Sequence, residues 1–163
     1  MDPETAAIYG EVRERIGLLH YQPGELLSEN ALAAEFEISR TRMRRIMWQL
    51  ESDGLIVISK GTGAVVTAVD IKSLREVYVV RLKLLELLGE LKPARLPAAM
   101  LENLEAILEQ SQQLRDTYDP DALARLYYAF HGEMLNIIRN KVLRKITDQL
   151  YHQTSRAWVQ LLT

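Results

Sequence analysis

The sequence predicts a mainly α-helical protein in two parts: three short helices closed by a small β-hairpin, and then an antiparallel bundle of helices. Three observations carry that prediction. Apolar residues recur at helical spacing through residues 5–20 and again through residues 28–52. The β-branched runs Leu55-Ile56-Val57-Ile58-Ser59 and Ala64-Val65-Val66-Thr67 flank Lys60-Gly61-Thr62-Gly63, a glycine-tipped turn. From Asp70 onward there is no strand signal, only long amphipathic stretches broken at prolines.

The elements follow in order. Ile8, Val12, Ile16 and Leu19 lie on one face of a first helix over 5–20. Gln22-Pro23-Gly24 is a turn. Ser28 can cap a second helix that reaches Ala34 or Phe36. Ser39 can cap a third that runs to about Ser52, with Met43, Ile46, Met47 and Leu50 inward and Gly54 as its C-cap. The two hairpin strands come next, and Asp70 can cap the helix beyond them. That helix spans 71–91, with Leu74, Val77, Tyr78, Arg81, Leu85 and Leu88 on related faces, and Lys92-Pro93 ends it. Pro97 suits the first turn of a helix to about Asp116, a further helix spans 120–138, and the last spans 142–161. The expected division is 1–68 and 69–163, with the boundary near Val69.

Composition narrows the function. The 163 residues hold 20 Lys and Arg against 22 Asp and Glu, a net charge of −2, and no cysteine. Disulfides, thiolate metal sites and cysteine nucleophiles are therefore excluded, and a reducing cytoplasm is the expected setting. Met1-Asp2-Pro3-Glu4 is acidic and lacks the apolar core of a signal peptide. No apolar run is long enough to span a bilayer. Gly61-Thr62-Gly63 is a hairpin tip and not a strand-to-helix phosphate loop. With three separated histidines and no paired carboxylates standing out, no enzymatic constellation is assigned.

Basic charge is local instead. Arg40, Arg42, Arg44 and Arg45 open the third helix, and Lys60 stands in the hairpin turn. The planar arginine fork pairs with phosphate or with guanine O6 and N7, and a helix N-terminus favours phosphate. Arg40 and Arg44 are four residues apart and share a face. Thr41 can reach a phosphate or a thymine methyl, and Gly61 and Gly63 permit close approach of the backbone at the turn. Two helices meeting at a tight turn, followed by such a wing, form the winged helix-turn-helix that docks on duplex DNA. The competing reading is a solvated cationic face balanced by Glu35, Glu37 and Glu51.

These residues resemble a family. Pro23-Gly24-Glu25-Leu26-Leu27, Leu32-Ala33-Ala34-Glu35-Phe36, Ser39-Arg40-Thr41, Arg44, Leu50 to Ile56 and Gly61 to Val66 are similar to the N-terminal domain of GntR-type bacterial repressors. The resemblance implies a homodimer that reads a short palindromic operator, with Ser39, Arg40, Thr41 and Arg44 in the recognition helix and Lys60, Gly61, Thr62 and Gly63 in the wing. Asn30 stands where some members use a DNA-contacting arginine, and Arg42 and Arg45 add charge where apolar or acidic residues are usual. The operator is therefore expected to differ.

The second part resembles the all-helical effector domain (FCD) of the FadR-like branch, through Leu74 to Arg81 with Leu84, and Phe130-His131 followed by Asn140 and Leu143. Many such domains hold a divalent metal with one Asp and three His, beside which a small carboxylate effector binds. Here Tyr127 stands where that Asp is expected, and only His131 maps to a ligand. The chain stops at Thr163, before the family's other two histidines, so it reads either as a fragment or as a member with a shortened effector domain. His131 is the one candidate metal ligand, and a divalent zinc-type metal is the one cofactor the resemblance allows, although one matched histidine leaves the ligand set incomplete. His131 is equally read as a core histidine beside Phe130 and Tyr127, while His20 and His152 are placed at the surface or an interface. Arg81, Tyr127 and His131 are the candidate effector-binding residues. Arg81 either meets an anionic effector or pairs with Glu86 or Glu133. The implied function is a sequence-specific DNA-binding repressor controlled by a small organic acid. The alternative is a regulator without small-molecule control, whose helical part is a protein-interaction or dimerisation module.

Overall fold

The structure, a computed structural model, describes residues 1–59, 63–68, 70–91 and 96–162, excluding the side chains of 161 and 162. Lys60, Gly61 and Thr62 of the wing turn, Val69 at the expected boundary and Lys92-Pro93 at the expected break lie outside the described residues. Its elements are α1 (Pro3–Gly17), β1 (Leu26–Leu27), α2 (Glu29–Glu35), α3 (Arg40–Ser52), β2 (Ile56–Ser59), β3 (Gly63–Val66), α4 (Ile71–Glu90), α5 (Ala98–Gln113), α6 (Pro120–Asn136) and α7 (Lys141–Leu162). The protein is mainly α, as the apolar periodicity predicts. None of the described helices is long and apolar enough to cross a membrane.

Two compact units are present. The first contains Met1–Ile71 and His152–Gln160, and the second contains Lys72–Tyr151 and Leu161–Thr163.

In the first unit α1 begins at Asp2, whose carboxylate accepts from the Thr5 amide at 2.9 Å and from the Thr5 hydroxyl at 2.7 Å. Those bonds, with Arg42 nearby, hold the Asp2 carboxyl well below the usual carboxylate range. The helix ends at Gly17, short of the expected residue 20. Leu19 turns the chain at φ 62, and the amides of His20 and Tyr21 fold back onto the Arg15 carbonyl at 2.8 and 3.3 Å.

Ser28 caps α2 and Ser39 caps α3, each accepting at 3.3 Å from the amide three residues on. Between the helices Glu37 takes φ 54, which lets the Ile38 amide return to the Ala33 carbonyl at 3.0 Å. The turn of the helix-turn-helix is thus made by a non-glycine in the left-handed region. At the end of α3, Asp53 is the cap and Gly54 takes the left-handed position beyond it, at φ 76.

Met43, Ile46, Met47 and Leu50 of α3 are all buried, in one core with Ile8, Val12 and Ile16 of α1 and Ile56, Ala64 and Val66 of the sheet. Each such side chain contributes about 1.5–3 kcal/mol relative to exposure, so this core fixes the angle at which α3 is presented. The sheet order is β1-β3-β2, all antiparallel, with Leu27 opposite Ala64 and Ser59 opposite Gly63. Strand β1, two residues long, is not expected from the sequence, because so short a run carries no alternation to detect.

His152–Gln160 completes this unit. Gln153 Nε2 donates to the Asp53 carbonyl at 2.8 Å. The Arg156 guanidinium donates to the Thr67 carbonyl and, at 3.0 Å, to its hydroxyl. His152, read from the sequence as a surface or interface residue, is buried here, because this half of α7 packs against the unit instead of facing solvent.

The second unit is more thinly covered. Met100, Ile137, Ile138 and Leu143 form its buried cluster, with Leu84, Leu88, Leu104, Met134 and Leu135 packed against it. No residue of α4 is fully buried, and Val79, Val80, Leu82, Leu85 and Leu87 are exposed.

Candidate functional site

The first unit presents α3 beside the β2–β3 wing. Arg40, Thr41, Arg44 and Arg45 are all exposed, as are Asn30 and Ser39. Periodicity explains this: the buried positions 43, 46, 47 and 50 pin one face inward and leave 40, 41, 44, 45 and 48 outward. Arg40, Arg44, Asn30 and Gly63 line one concave surface, together with Leu26, Trp48 and Ser59. Gly63 has φ 100, and a Cβ there would stand 2.9 Å from the Leu27 carbonyl oxygen, so the wing needs glycine at this position. Lys60, Gly61 and Thr62 lie outside the described residues.

The arginines differ in their surroundings. Arg44 forms a two-pronged pair with Glu29, Nε to Oε2 at 3.0 Å and Nη2 to Oε1 at 2.9 Å, which raises its pKa further. Glu29, a residue the sequence gives no role, therefore holds the Arg44 fork in one orientation. Arg42 is drawn to the N-terminus of α1 instead. Its Nη2 bonds Asp2 at 2.9 Å, Glu4 at 2.8 Å and the Thr5 hydroxyl at 2.8 Å. Arg42 thus ties α3 to α1, a role that a run of basic residues does not reveal.

The second unit contains a cavity of about 180 Å³. Arg81, Tyr127 and His131, singled out separately in the sequence, all line it, with Leu84, Leu88 and Tyr151. Lys83 pairs with Glu86 at 2.7 Å, and Asn103 donates to Glu133 at 2.7 Å. The Arg81 guanidinium lies over the rings of Tyr78, at 5.0 Å, and Tyr151, at 5.6 Å. His131 stacks on Tyr151 with ring centroids 3.5 Å apart and planes 5° from parallel. Burial pushes the Tyr151 hydroxyl well above the usual phenol range. His131 Nε2 meets Asp148 Oδ1 at 3.2 Å.

Asp148, on α7, places a carboxylate beside His131. His and carboxylate donors of this kind suit zinc-type ions. Among the described residues of this unit, His131 and Asp148 are two such donors side by side.

A capped helix, a left-handed turn, an exposed cationic recognition helix and a three-stranded wing define a winged helix-turn-helix of the DNA-binding class. Residues 4–66 match the gntR family of bacterial regulatory proteins, and residues 76–163 match the FCD domain. The chain belongs to the gntR family of bacterial regulatory proteins, in the branch that carries an FCD domain. It is 27% identical over 149 residues to the HTH-type transcriptional regulator YdhC of Bacillus subtilis, covering 91% of this chain and 66% of that protein. It is 30% identical over 140 residues to the gluconate operon transcriptional repressor of the same species, covering 86% of this chain and 57% of that one. The chain thus spans just over half to about two thirds of the length of these relatives. The solved structure of E. coli McbR/YncC shares the fold, with a TM-score of 0.82 at 20% identity, covering 99% of this chain and 76% of that one. The two Bacillus subtilis relatives are named as transcriptional regulators.

Proposed function

We propose that this protein is a cytoplasmic repressor that binds a palindromic operator as a homodimer and releases it on binding a small organic acid. The observation that carries the DNA-binding half is the grouping of Arg40, Arg44, Asn30 and Gly63 on one concave surface, with Thr41 and Arg45 exposed on the same helix. Residues 1–68 read DNA and residues 69–163 carry effector binding and dimerisation. In this reading Ser39 positions α3 by capping it, and Arg40, Thr41, Arg44 and Arg45 meet phosphates and base edges. Lys60, Gly61, Thr62 and Gly63 approach the adjacent minor groove, and Asn30 contacts the flank. Arg42 acts chiefly through Asp2 and Glu4. Selection from a random duplex library is expected to return a palindrome with half-sites about one helical turn, ~34–36 Å, apart. No enrichment at low salt, where phosphate contacts are strongest, would overturn this.

The effector half rests on Arg81, Tyr127 and His131 lining one cavity. Arg81 offers the charge for a carboxylate, and the His131–Asp148 pair offers a second polar contact. Thermal-shift titration with small organic acids, each with and without zinc, is expected to raise the melting temperature for at least one acid and not for its amide. Arg81→Gln should abolish that rise. If no acid shifts the wild type, the alternative stands, in which the helical unit is an interaction module. The exposed apolar residues of α4 favour that alternative and fit a dimer face equally well.

A further inference from the structure

Trp48 is an outlier on α3. The helix buries its other large apolar side chains, Met43, Ile46, Met47 and Leu50, while Trp48 is 57% exposed. It follows Arg44 by four residues and Arg40 by eight, so the three form one stripe along the helix. An aromatic ring on a cationic recognition stripe calls for an occupant, since scattered exposed leucines are ordinary but a tryptophan set among DNA-facing arginines is not.

The surroundings identify that occupant. Trp48 lines the concave surface between α3 and the wing, with Arg40 and Arg44 on one side and Ser59 and Gly63 on the other. Leu26, also 57% exposed, adds a second apolar contact point. With a recognition helix in the major groove and a wing in the neighbouring minor groove, the strand separating the two grooves passes through this concavity. Such a strand offers phosphates to the arginines and deoxyribose carbons to the ring.

We propose that Trp48 is a positioning residue for DNA, an apolar platform on which the deoxyribose face of the strand between α3 and the wing rests. Contacts to sugar and phosphate fix register and add affinity without reading bases. The proposal rests on the DNA-reading function above, and its test separates the two.

The test titrates the selected duplex by fluorescence anisotropy over a salt series, using the full chain as wild type, Trp48→Ala and Trp48→Phe. Because Trp48 is exposed, circular dichroism of the variants should match the wild type. Trp48→Ala should weaken binding about tenfold at every salt concentration. It should leave the slope of log affinity against log salt unchanged, because an indole displaces no counterion, and a repeated selection should return the same consensus. Trp48→Phe should recover most of the loss. Wild-type affinity in Trp48→Ala, or an altered salt slope, would overturn the proposal. A shifted consensus would overturn it in favour of base reading by the ring. If the wild type itself selects no duplex, the DNA-reading function fails first and the platform with it.

Discussion

Arg44→Ala is expected to lower affinity for the selected operator by about 5- to 150-fold, corresponding to the ~1–3 kcal/mol of a two-pronged arginine contact. It should also relax the consensus at one position of each half-site. The basis is the Arg44–Glu29 pair, which sets the guanidinium plane before DNA arrives. A fork already held by two parallel bonds loses less rotamer freedom on meeting a second planar acceptor. Arg44→Lys should therefore fail to rescue specificity although it retains the charge. The salt slope separates the roles: loss of a phosphate contact reduces it by about one, and loss of a pure guanine contact leaves it nearly unchanged. Selection and anisotropy with both variants measure this, and wild-type affinity in Arg44→Ala would remove Arg44 from the interface.

Arg156→Ala is expected to destabilise the first unit by about 3–5 kcal/mol, the sum of a large truncation in a packed site and a buried carbonyl losing a donor. Arg156 is 2% exposed and donates to both the carbonyl and the hydroxyl of Thr67. Thr67 in turn connects to the end of α3, since its amide donates to the Leu55 carbonyl at 3.0 Å and its hydroxyl lies 2.8 Å from the Gly54 carbonyl. Arg156→Met preserves most of the packing and should cost less than alanine. Both tryptophans, Trp48 and Trp158, belong to this unit. Urea unfolding followed by tryptophan fluorescence therefore reports on it directly. An unchanged midpoint in Arg156→Ala would show that the last stretch of α7 adds nothing to the unit.

The two variants probe parts of the molecule that were unequally legible in the sequence. Recognition of α3 was local: Ser39 caps it, four apolar positions bury it, and Gly54 terminates it, so composition within some fifteen residues specifies both the helix and its outward stripe. The same holds for the wing, where β-branched runs flank glycines. Glu29 was invisible as a partner because a surface carboxylate fifteen residues before an arginine has no sequence signature, and the pairing arises only when the turn at Glu37 brings α2 against α3. The partners of Arg42 are hidden for the same reason. Its charge is evident in the sequence, whereas its attachment to Asp2 and Glu4 depends on where α1 packs.

The sequence by itself determined the helices and the hairpin wing, the Ser28 and Ser39 caps, the family and the face that α3 turns outward. Those follow from short-range periodicity and from motifs with fixed spacing. Only the tertiary structure decided that Arg81, Tyr127 and His131 line one cavity, that Asp148 is the carboxylate beside His131, and that residues 152–160 complete the first unit through Gln153 and Arg156. Each of these depends on contacts between residues 17 to 100 positions apart. Helical periodicity fixes which face of a segment is apolar, but which neighbour covers that face is settled by packing.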